Sequence, residues 1–399
     1  MKSIISALAS AYCLSFLCMA IFSGLGMNPA YAGPNCVKKP DHPKCGGGGD
    51  PGGGENACAT STTFPTFAYW EDQGQSSITV LSLSDAEGAC TQPLSEFDTE
   101  HFLVGETAFH FDPVTRSGRV VWTNHFIADY LFLVEFDVGD TNASNAVDVW
   151  NNSQAIVALP GIDHSKGTMR NLDIGLDGDL LTFIYRPPIP EGTSGGYTIY
   201  KASIDGCKSD PWTPPDADCD GTLVEIISAD PVPEGTYYWN EISLSMDNSK
   251  IYLNQFINAL GGGTYVIDLG ADEWALTRLK KLPFPSDIAL LDHNDSGTAT
   301  EVLATSGTSD ANPCGELVFV DIVDCLNSEY CYSVAGLNNV PGRNPSWLSD
   351  GRLVYQDRIF RKKGKNYSCS NGDLSIMDPS DLIPIPDNLI EGREPRGWQ

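Results

Sequence analysis

The sequence predicts an all-β protein, because turn-forming residues are abundant and no long helical pattern is present. The chain of 399 residues contains 39 glycines and 26 prolines, the two residues that most often mark turns and loops. No long segment places apolar residues at the 3.6-residue spacing of an amphipathic helix. Hydrophobic residues make up 41% of the chain, which is enough to form a packed core around strands.

The clearest structural unit lies near the C-terminus. Residues 344–355 read Asn-Pro-Ser-Trp-Leu-Ser-Asp-Gly-Arg-Leu-Val-Tyr, so that two apolar strands flank Asp350 and Gly351. An Asp-Gly pair at this position predicts a two-residue hairpin turn, with positive φ at both central residues. A third strand, Leu374–Met377, follows after a loop and ends before an Asp-Pro pair.

Related units recur along the chain about every 50 to 70 residues, slightly longer than the usual propeller repeat. Each has an Asp-, Asn- or Gly-containing turn between its first two strands, and four of these turns carry Asp177, Asp247, Asp295 and Asp350. We interpret these carboxylates as turn formers, since Asp accepts hydrogen bonds from the backbone of such turns. The first strands of units two to five are predicted at residues 107–112, 172–177, 240–246 and 288–292.

The first unit lacks its first strand. Residues 67–70 and 78–85 match the second and third strands of the template, whereas residues 392–398 match the start of a repeat. We therefore expect the C-terminal strand to complete the first unit and to make Trp398 structurally important. The result is a six-bladed β-propeller of four-stranded antiparallel blades, whose closure removes exposed sheet edges.

The last unit resembles the repeat of TolB-like β-propellers, whose blades carry an aromatic-Ser-x-Asp-Gly-x-apolar-x-aromatic signature. The resemblance covers residues 58–399, and in units two to five the tryptophan of the motif is replaced. It implies a non-catalytic binding module for a protein or peptide partner, on the loop-rich face or at the channel mouth. We expect no counterpart of the α/β domain that precedes the propeller in TolB.

The N-terminus has the layout of an export signal. Lys2 is the only charge before a long apolar run, and Ala30-Tyr31-Ala32 offers a cleavage site before Gly33, as in secretory signal peptides. We expect a signal peptide at residues 1–32, a disulfide loop and Gly-rich linker at residues 33–57, and the propeller at residues 58–399. The protein is then periplasmic or secreted, without stable membrane insertion after cleavage; an uncleaved membrane anchor is the alternative.

The cysteines suggest disulfides, since an even number remains after removal of the signal and the chain is exported. Pairing between sequence neighbours, which leaves Cys314 with Cys369, predicts Cys36–Cys45, Cys58–Cys90, Cys207–Cys219, Cys325–Cys331 and Cys314–Cys369. The formal net charge of −28 excludes nucleic acid as a partner, because such a chain repels polyanions. A glycan partner stays open, since aromatic side chains could stack on sugars.

Three carboxylates form the sharpest local motif. Residues 216–221 read Asp-Ala-Asp-Cys-Asp-Gly, and alternating carboxylates before a turn glycine are how calcium loops begin. The bidentate Glu of an EF-hand is missing. We predict a short calcium loop of another type with Asp216, Asp218 and Asp220 as ligands; an acidic surface loop is the alternative.

Catalytic patterns are sparse. The one Gly-x-Ser-x-Gly match, at residues 192–196, lacks the strand-to-helix context of a nucleophile elbow. No HExxH or P-loop motif occurs, so we expect a protein that is not an enzyme. The alternatives are a polysaccharide lyase- or esterase-like propeller with a metal or histidine in the channel, and a calcium-stabilised surface protein. The enzyme alternative depends on His110, which lies in a predicted first strand, and on other histidines converging there.

Overall fold

The fold comes from a computed structural model of the chain. It divides into two units, Met1–Gly54 and Glu55–Gln399, and the described residues all lie in the second. They are residues 62–72, 78–88, 90–98, 104–124, 127–138, 154–157, 168–187, 193–194, 196–207, 222–229, 232–233, 238–245, 247–257, 261–278, 290–295, 301–307, 314, 316–321, 340–363, 366–378 and 393–397.

The described residues form 24 strands and one helix of four residues. In chain order they are β1 (Phe67–Asp72), β2 (Ile78–Ser84), β3 (Thr91–Asp98), β4 (Val104–Asp112), β5 (Ser117–Asn124), β6 (Ile127–Asp137), β7 (Gln154–Val157), β8 (Thr168–Ile174), β9 (Leu180–Arg186), β10 (Thr193–Ser194), β11 (Tyr197–Ser203), α1 (Ile204–Cys207), β12 (Val224–Ala229), β13 (Val232–Pro233), β14 (Tyr238–Leu244), β15 (Lys250–Ile257), β16 (Gly261–Asp268), β17 (Thr277–Arg278), β18 (Leu290–Asp295), β19 (Glu301–Gly307), β20 (Glu316–Asp321), β21 (Val340–Trp347), β22 (Leu353–Lys363), β23 (Asn366–Met377) and β24 (Arg393–Gly397).

Hydrogen bonds join these strands into a β-propeller, as predicted. Four sheets have four strands each, in the orders β24-β1-β2-β3, β4-β5-β6-β7, β8-β9-β11-β12 and β14-β15-β16-β17. A fifth sheet contains β18 to β23 in sequence order, and β10 pairs with β13 in a separate ribbon. We number the blades by their first strands: blade 1 begins with β24, blade 2 with β4, blade 3 with β8, blade 4 with β14, blade 5 with β18 and blade 6 with β21.

The six first strands form a closed ring. Neighbours around the ring are β4 and β8, β8 and β14, β14 and β18, β18 and β21, β21 and β24, and finally β24 and β4. Blades 5 and 6 belong to one hydrogen-bonded sheet because two residue pairs, Glu316↔Pro341 and Leu317↔Val340, connect β20 to β21. The predicted six units are therefore distributed over five sheets.

The C-terminal strand completes blade 1, as the sequence predicts. β24 pairs antiparallel with β1, with Phe67 opposite Gly397 and Trp70 opposite Arg393. The backbone N–H of Gly397 also donates to Ser346 Oγ of blade 6 at 2.9 Å. This strand therefore links the two ends of the propeller chain. Trp398 lies outside the described residues.

The core lies between neighbouring blades, because both faces of each sheet carry buried side chains. Trp70 of blade 1 packs with Trp122 of blade 2, and its indole N–H donates to Thr107 Oγ1 at 2.7 Å. The other described core clusters join blade 2 to blade 3, blade 3 to blade 4, blade 5 to blade 6, and blade 6 to blade 1. Each large apolar side chain buried in this way contributes about 1.5–3 kcal/mol.

The turns between first and second strands differ from the predicted two-residue type. In blade 6 only Gly351 has positive φ, at 86°, its N–H donates to the carbonyl of Leu348, and the N–H of Leu348 donates to the carbonyl of Arg352. This is a longer loop that ends in one left-handed residue. Gly178 in blade 3 and Asn248 in blade 4 take the same role, with φ of 71° and 59°. The prediction of two positive φ values was wrong.

The third strand of blade 6 is longer than predicted. The segment between the predicted strands, expected to be a loop, instead extends β22 and β23 into an 11- and a 12-residue strand. Their pairing runs from Leu353↔Met377 to Lys363↔Asn366. The Cys314–Cys369 disulfide, as predicted, connects β23 to the segment before β20. Cys90 and Cys207 are also disulfide-bonded, while their predicted partners lie outside the described residues.

In the part of the chain that the structure describes, no helix is long and apolar enough to cross a membrane.

Candidate functional site

The site lies where the turns between first and second strands meet at one end of the ring, which we call the turn face. A pocket of about 1270 Å³ opens there between blades 2 and 3. Six carboxylates line it, together with His110, Arg119 and several apolar side chains. The lining residues are His110, Phe111, Asp112, Pro113, Thr115, Ser117, Gly118, Arg119, Glu135, Phe136, Asp137, Leu176, Asp177, Gly178, Asp179, Asp205 and Ser349.

Arg119 is the central cation of the pocket. Its guanidinium binds Glu135 of its own blade at 2.9 Å and Asp205 of blade 3 at 2.8 Å. A third nitrogen contact reaches the carbonyl oxygen of Gly178 at 2.9 Å. Because Arg119 offers a single guanidinium to a pocket lined by six carboxylates, the pocket keeps a strong excess of negative charge.

His110 projects from β4 against the neighbouring blade. A Cβ atom added to Gly178 would lie 2.6 Å from His110 Nε2, so the ring packs directly on the turn of blade 3. Burial lowers the pKa of His110, and the positive charge of Arg119 lowers it further against the opposing effects of Asp112 and Asp177. The imidazole is therefore neutral at neutral pH, and its described contacts are packing contacts between blades.

The carboxylate of Asp179 holds the base of the pocket in place. It accepts hydrogen bonds from Ser203 Oγ at 2.7 Å and from the backbone N–H of Asp205 at 2.8 Å. The carbonyl of Asp179 also accepts from the N–H of Ile204. These bonds place α1 directly after β11 and thereby bring Asp205 to Arg119.

Two exposed apolar side chains stand at the edge of the acidic pocket. Leu176, in the turn of blade 3, is 50% exposed, and Val114, between the lining residues Pro113 and Thr115, is 89% exposed. Neither is needed to fill the core, because each lies on the surface of its turn. The pocket thus combines a negatively charged lining with an apolar rim.

The carboxylate of Asp173 lies half-buried in the ring between blades 3 and 4. Asp173 of β8 accepts a hydrogen bond from the backbone N–H of Leu244 at 2.7 Å. Burial raises the pKa of Asp173, and this effect outweighs the hydrogen bonds from Leu244 and Ile174 and the positive charge of Arg396. The group ties two first strands together and belongs to the scaffold of the ring.

The predicted calcium ligands Asp216, Asp218 and Asp220 lie outside the described residues, so the calcium loop stays a prediction. The described residues contain no group of three or more His, Cys, Asp or Glu side chains that could hold a metal ion. His125 is also outside them, and the side chain of His293 in β18 is not among the described ones.

The turn-forming carboxylates are confirmed where they are described. Asp177 Oδ1 accepts from the N–H groups of Asp179 and Leu180. Asp350 Oδ1 accepts from the N–H of Arg352. Asp247 accepts hydrogen bonds in its turn in the same way. Partial burial acts to raise the pKa of Asp247, but the hydrogen bonds from Ser249 and Ser245 lower this pKa to about 2. The side chain of Asp295, at the end of β18, is not among the described ones.

Sequence reasoning missed most of the pocket. Arg119, Glu135 and Asp205 belong to no motif, and only the fold brings them together. One apolar residue of the rim was a usable signal: Val114 lies between two predicted strands, where an apolar side chain has no core to enter. Leu176 gave no such signal, because it falls within the predicted first strand at residues 172–177.

Comparisons with known proteins define the class of protein as a β-propeller. TolB from Acinetobacter baumannii has 14% sequence identity and a TM-score of 0.50, over 84% of this chain and 67% of that one. A puromycin-hydrolysing peptidase from Mycobacterium tuberculosis has 13% identity and a TM-score of 0.45, over 82% of this chain and 47% of that one. An oligogalacturonate lyase from Vibrio parahaemolyticus has 9% identity and a TM-score of 0.43, over 82% and 79%. No family model and no curated protein matches the chain. The likeness to TolB concerns the fold alone.

Proposed function

We propose that this protein is an exported, non-catalytic β-propeller that binds a protein partner through the pocket on the turn face. The partner segment carries Lys or Arg side chains for the carboxylates and apolar side chains for Val114 and Leu176. The observation behind this proposal is the pocket itself, in which an acidic lining and an exposed apolar rim occur together.

The size of the pocket favours a peptide segment over a small metabolite. Its volume of about 1270 Å³ exceeds the range of about 300–1,000 Å³ that is usual for small-molecule sites. Asp112 and Asp177 are held by turn hydrogen bonds, and Asp179 is held by the backbone N–H of Asp205, so their positions are set before a ligand arrives. Such preorganisation lowers the entropy cost of binding.

The charge of the whole chain supports a basic partner. With a formal net charge of −28, the protein attracts cationic surfaces over a distance and repels anionic ones. Individual exposed ion pairs contribute only about 0.2–1 kcal/mol each. The apolar rim therefore supplies the contact area, while the carboxylates select the partner.

The experiment is a selection from a displayed random-peptide library on the full chain, expressed with its own N-terminal segment. We expect the selected peptides to combine Lys or Arg with neighbouring apolar residues. A Val114→Ser/Leu176→Ser variant should no longer bind the selected peptides. The matched control Ile359→Ser/Phe360→Ser, which alters an exposed apolar pair outside the pocket, should still bind them. Equal selection by the pocket variant, or no selection by the unaltered protein, contradicts the proposal.

An enzyme of the lyase or esterase kind is the second candidate, and His110 is the observation that favours it. The side chain is neutral, lines the pocket and lies beside carboxylates, as a general base would. Its test is a screen of uronate-containing polysaccharides and simple esters. Turnover that His110→Gln abolishes, with binding retained, would establish this function in place of the first.

A further inference from the structure

The β22–β23 hairpin carries the densest positive charge in this acidic chain. Five of the 24 Lys and Arg residues fall within residues 358–365. They are Arg358, Arg361, Lys362, Lys363 and Lys365. Of these, Arg361 and Lys362 have exposed side chains in the described structure. The hairpin is therefore a positively charged segment in a protein whose net charge is strongly negative.

The outer half of this hairpin leaves the blade. Its inner half is buried through Leu353, Val354 and Tyr355. The register shifts between Gln356 and Arg358, and beyond that point the side chains of residues 359–362 and 368–370 are exposed. A bulge of this kind bends and twists a ribbon. The outer half, residues 358–363 and 366–371, is here named the basic ribbon.

The basic ribbon also exposes two large apolar side chains. Ile359 is 37% and Phe360 is 41% exposed. Among the described side chains, only two other large apolar ones are exposed, Val114 and Leu176 at the pocket rim. Within the described part of the chain, large exposed apolar side chains thus occur in two places. Adjacent apolar and cationic side chains of this kind are typical of protein interfaces.

A disulfide holds the basic ribbon to the propeller. Cys369 lies directly opposite Phe360 in the hairpin register, and it is bonded to buried Cys314 in front of β20. The ribbon is therefore presented in one fixed orientation. A surface ordered in advance loses less conformational entropy when it binds.

The basic ribbon and the acidic pocket lie at opposite ends of the propeller. β22 starts beside the turn that contains Ser349, a residue of the pocket lining. From there the 11 residues of β22 extend about 35 Å, at about 3.3 Å per residue. The ribbon cannot fill the pocket of its own molecule, so the two surfaces require separate occupants.

We propose that the basic ribbon docks an acidic segment of a partner protein that also carries apolar side chains. Because alternate residues of a strand share a face, Ile359 lies beside Arg361 on one face of the ribbon and Phe360 beside Lys362 on the other. On each face a carboxylate of the partner pairs with the cation, and an apolar side chain of the partner covers the apolar neighbour. A lipid surface fits less well, because Phe360 lies three residues, about 10 Å, behind the cationic end of the hairpin. A bilayer that contacts this end would leave the apolar pair outside, while the rest of the chain is repelled by anionic lipid.

The experiment measures binding of a fluorescent peptide of alternating glutamate and valine to the full chain by anisotropy. We expect Arg361→Gln/Lys362→Gln to weaken binding about tenfold, as the loss of two exposed ion pairs implies. The matched control Ala271→Glu/Ala275→Glu makes the same change in net charge at exposed positions and should leave the affinity unchanged. Ile359→Ser/Phe360→Ser should also lower the affinity for this peptide, but it should not change the affinity for a peptide of glutamate alone.

Three outcomes overturn the proposal. If the Arg361→Gln/Lys362→Gln variant and the unaltered protein bind the peptide with equal affinity, the ribbon is not the site. Binding to phosphatidylglycerol vesicles without binding to the peptide assigns the ribbon to lipid. Self-association that the ribbon variant abolishes, without peptide binding, assigns it to a second copy of the chain. Val114→Ser/Leu176→Ser should leave peptide binding intact, which separates this test from that of the pocket.

Discussion

Arg119 of blade 2 binds Asp205 of blade 3 with 2.8 Å between the guanidinium nitrogen and the carboxylate oxygen. A similar link joins blade 6 to blade 1, where Arg352 binds Glu87 at 3.0 Å. In both cases an arginine near the start of a second strand reaches the connection between the third and fourth strands of the next blade. The turn face therefore carries repeated ion pairs between blades, in addition to the apolar contacts deeper in the sheets.

The first prediction concerns this link. Arg119→Gln should lower the free energy of unfolding by about 1 kcal/mol, because partly exposed ion pairs and one hydrogen bond to a carbonyl are lost. Denaturant unfolding at low and high salt measures the effect, which should shrink as salt screens the pairs. Arg361→Gln removes the same charge from the exposed basic ribbon and is the control. A loss that is equal in both variants would show that charge alone is responsible.

The second prediction concerns the pH dependence of stability. Burial and Arg119 lower the pKa of His110 below its ordinary value of 6.5, so the folded state binds fewer protons than the unfolded state just below pH 6.5. The stability that neutral His110 confers is therefore complete above pH 6.5 and is lost as the pH falls through the lowered pKa. Denaturant unfolding across this range should show a decline that His110→Gln reduces. An unchanged decline in the variant would assign the proton uptake to other groups.

The third prediction concerns ring closure. A Cβ atom at Gly397 would collide with the carbonyl oxygen of Trp347, so Gly397→Ala must displace β24 from blade 6. We expect a loss of about 1–3 kcal/mol, as for other overpacked sites, together with faster hydrogen exchange in β1. Gly270→Ala is the control, since its added Cβ would meet only Asp268 Oδ1, at 3.3 Å. Equal stability of the two variants would mean that β24 adjusts without cost.

The fourth prediction concerns calcium. If Asp216, Asp218 and Asp220 bind the ion, Asp216→Ala combined with Asp218→Ala should lower the melting temperature only when calcium is present, because a ligand stabilises the state that binds it. Thermal unfolding with calcium and with EDTA makes the comparison. Equal effects in both conditions would assign the motif to an acidic surface loop.

The repeated units were predictable because their signals are local. Apolar strands with turn residues between them identify β21 and β22 from residues 344–355 alone, and the incomplete first unit requires the pairing of β24 with β1. The turn type was not predictable from the Asp-Gly pair. An Asp-Gly pair is compatible with a two-residue turn that has two left-handed residues and with a longer loop that has one. The hydrogen bonds of the flanking strands determine which of these two loops forms.

The basic ribbon escaped prediction for a different reason. Residues 358–363 are mostly charged and show no alternation of apolar and polar side chains, so the local pattern does not indicate a strand. They are extended because they pair with residues 366–371, and Cys369 is bonded to Cys314 of another blade. Propensity is overridden here by tertiary contacts.

The sequence by itself determined the all-β class, the number of units, the closing strand and the pairing of Cys314 with Cys369. The class, the units and the closing strand follow from periodicity, turn chemistry and the need to cover sheet edges. The Cys314–Cys369 pair follows because the other cysteines pair with their neighbours in sequence. Only the tertiary structure decided that Arg119, His110 and Asp205 share one pocket and that Phe360 faces outward beside cations. Residues of different blades meet through packing of the whole ring, and no local pattern in the chain encodes which ones will be neighbours.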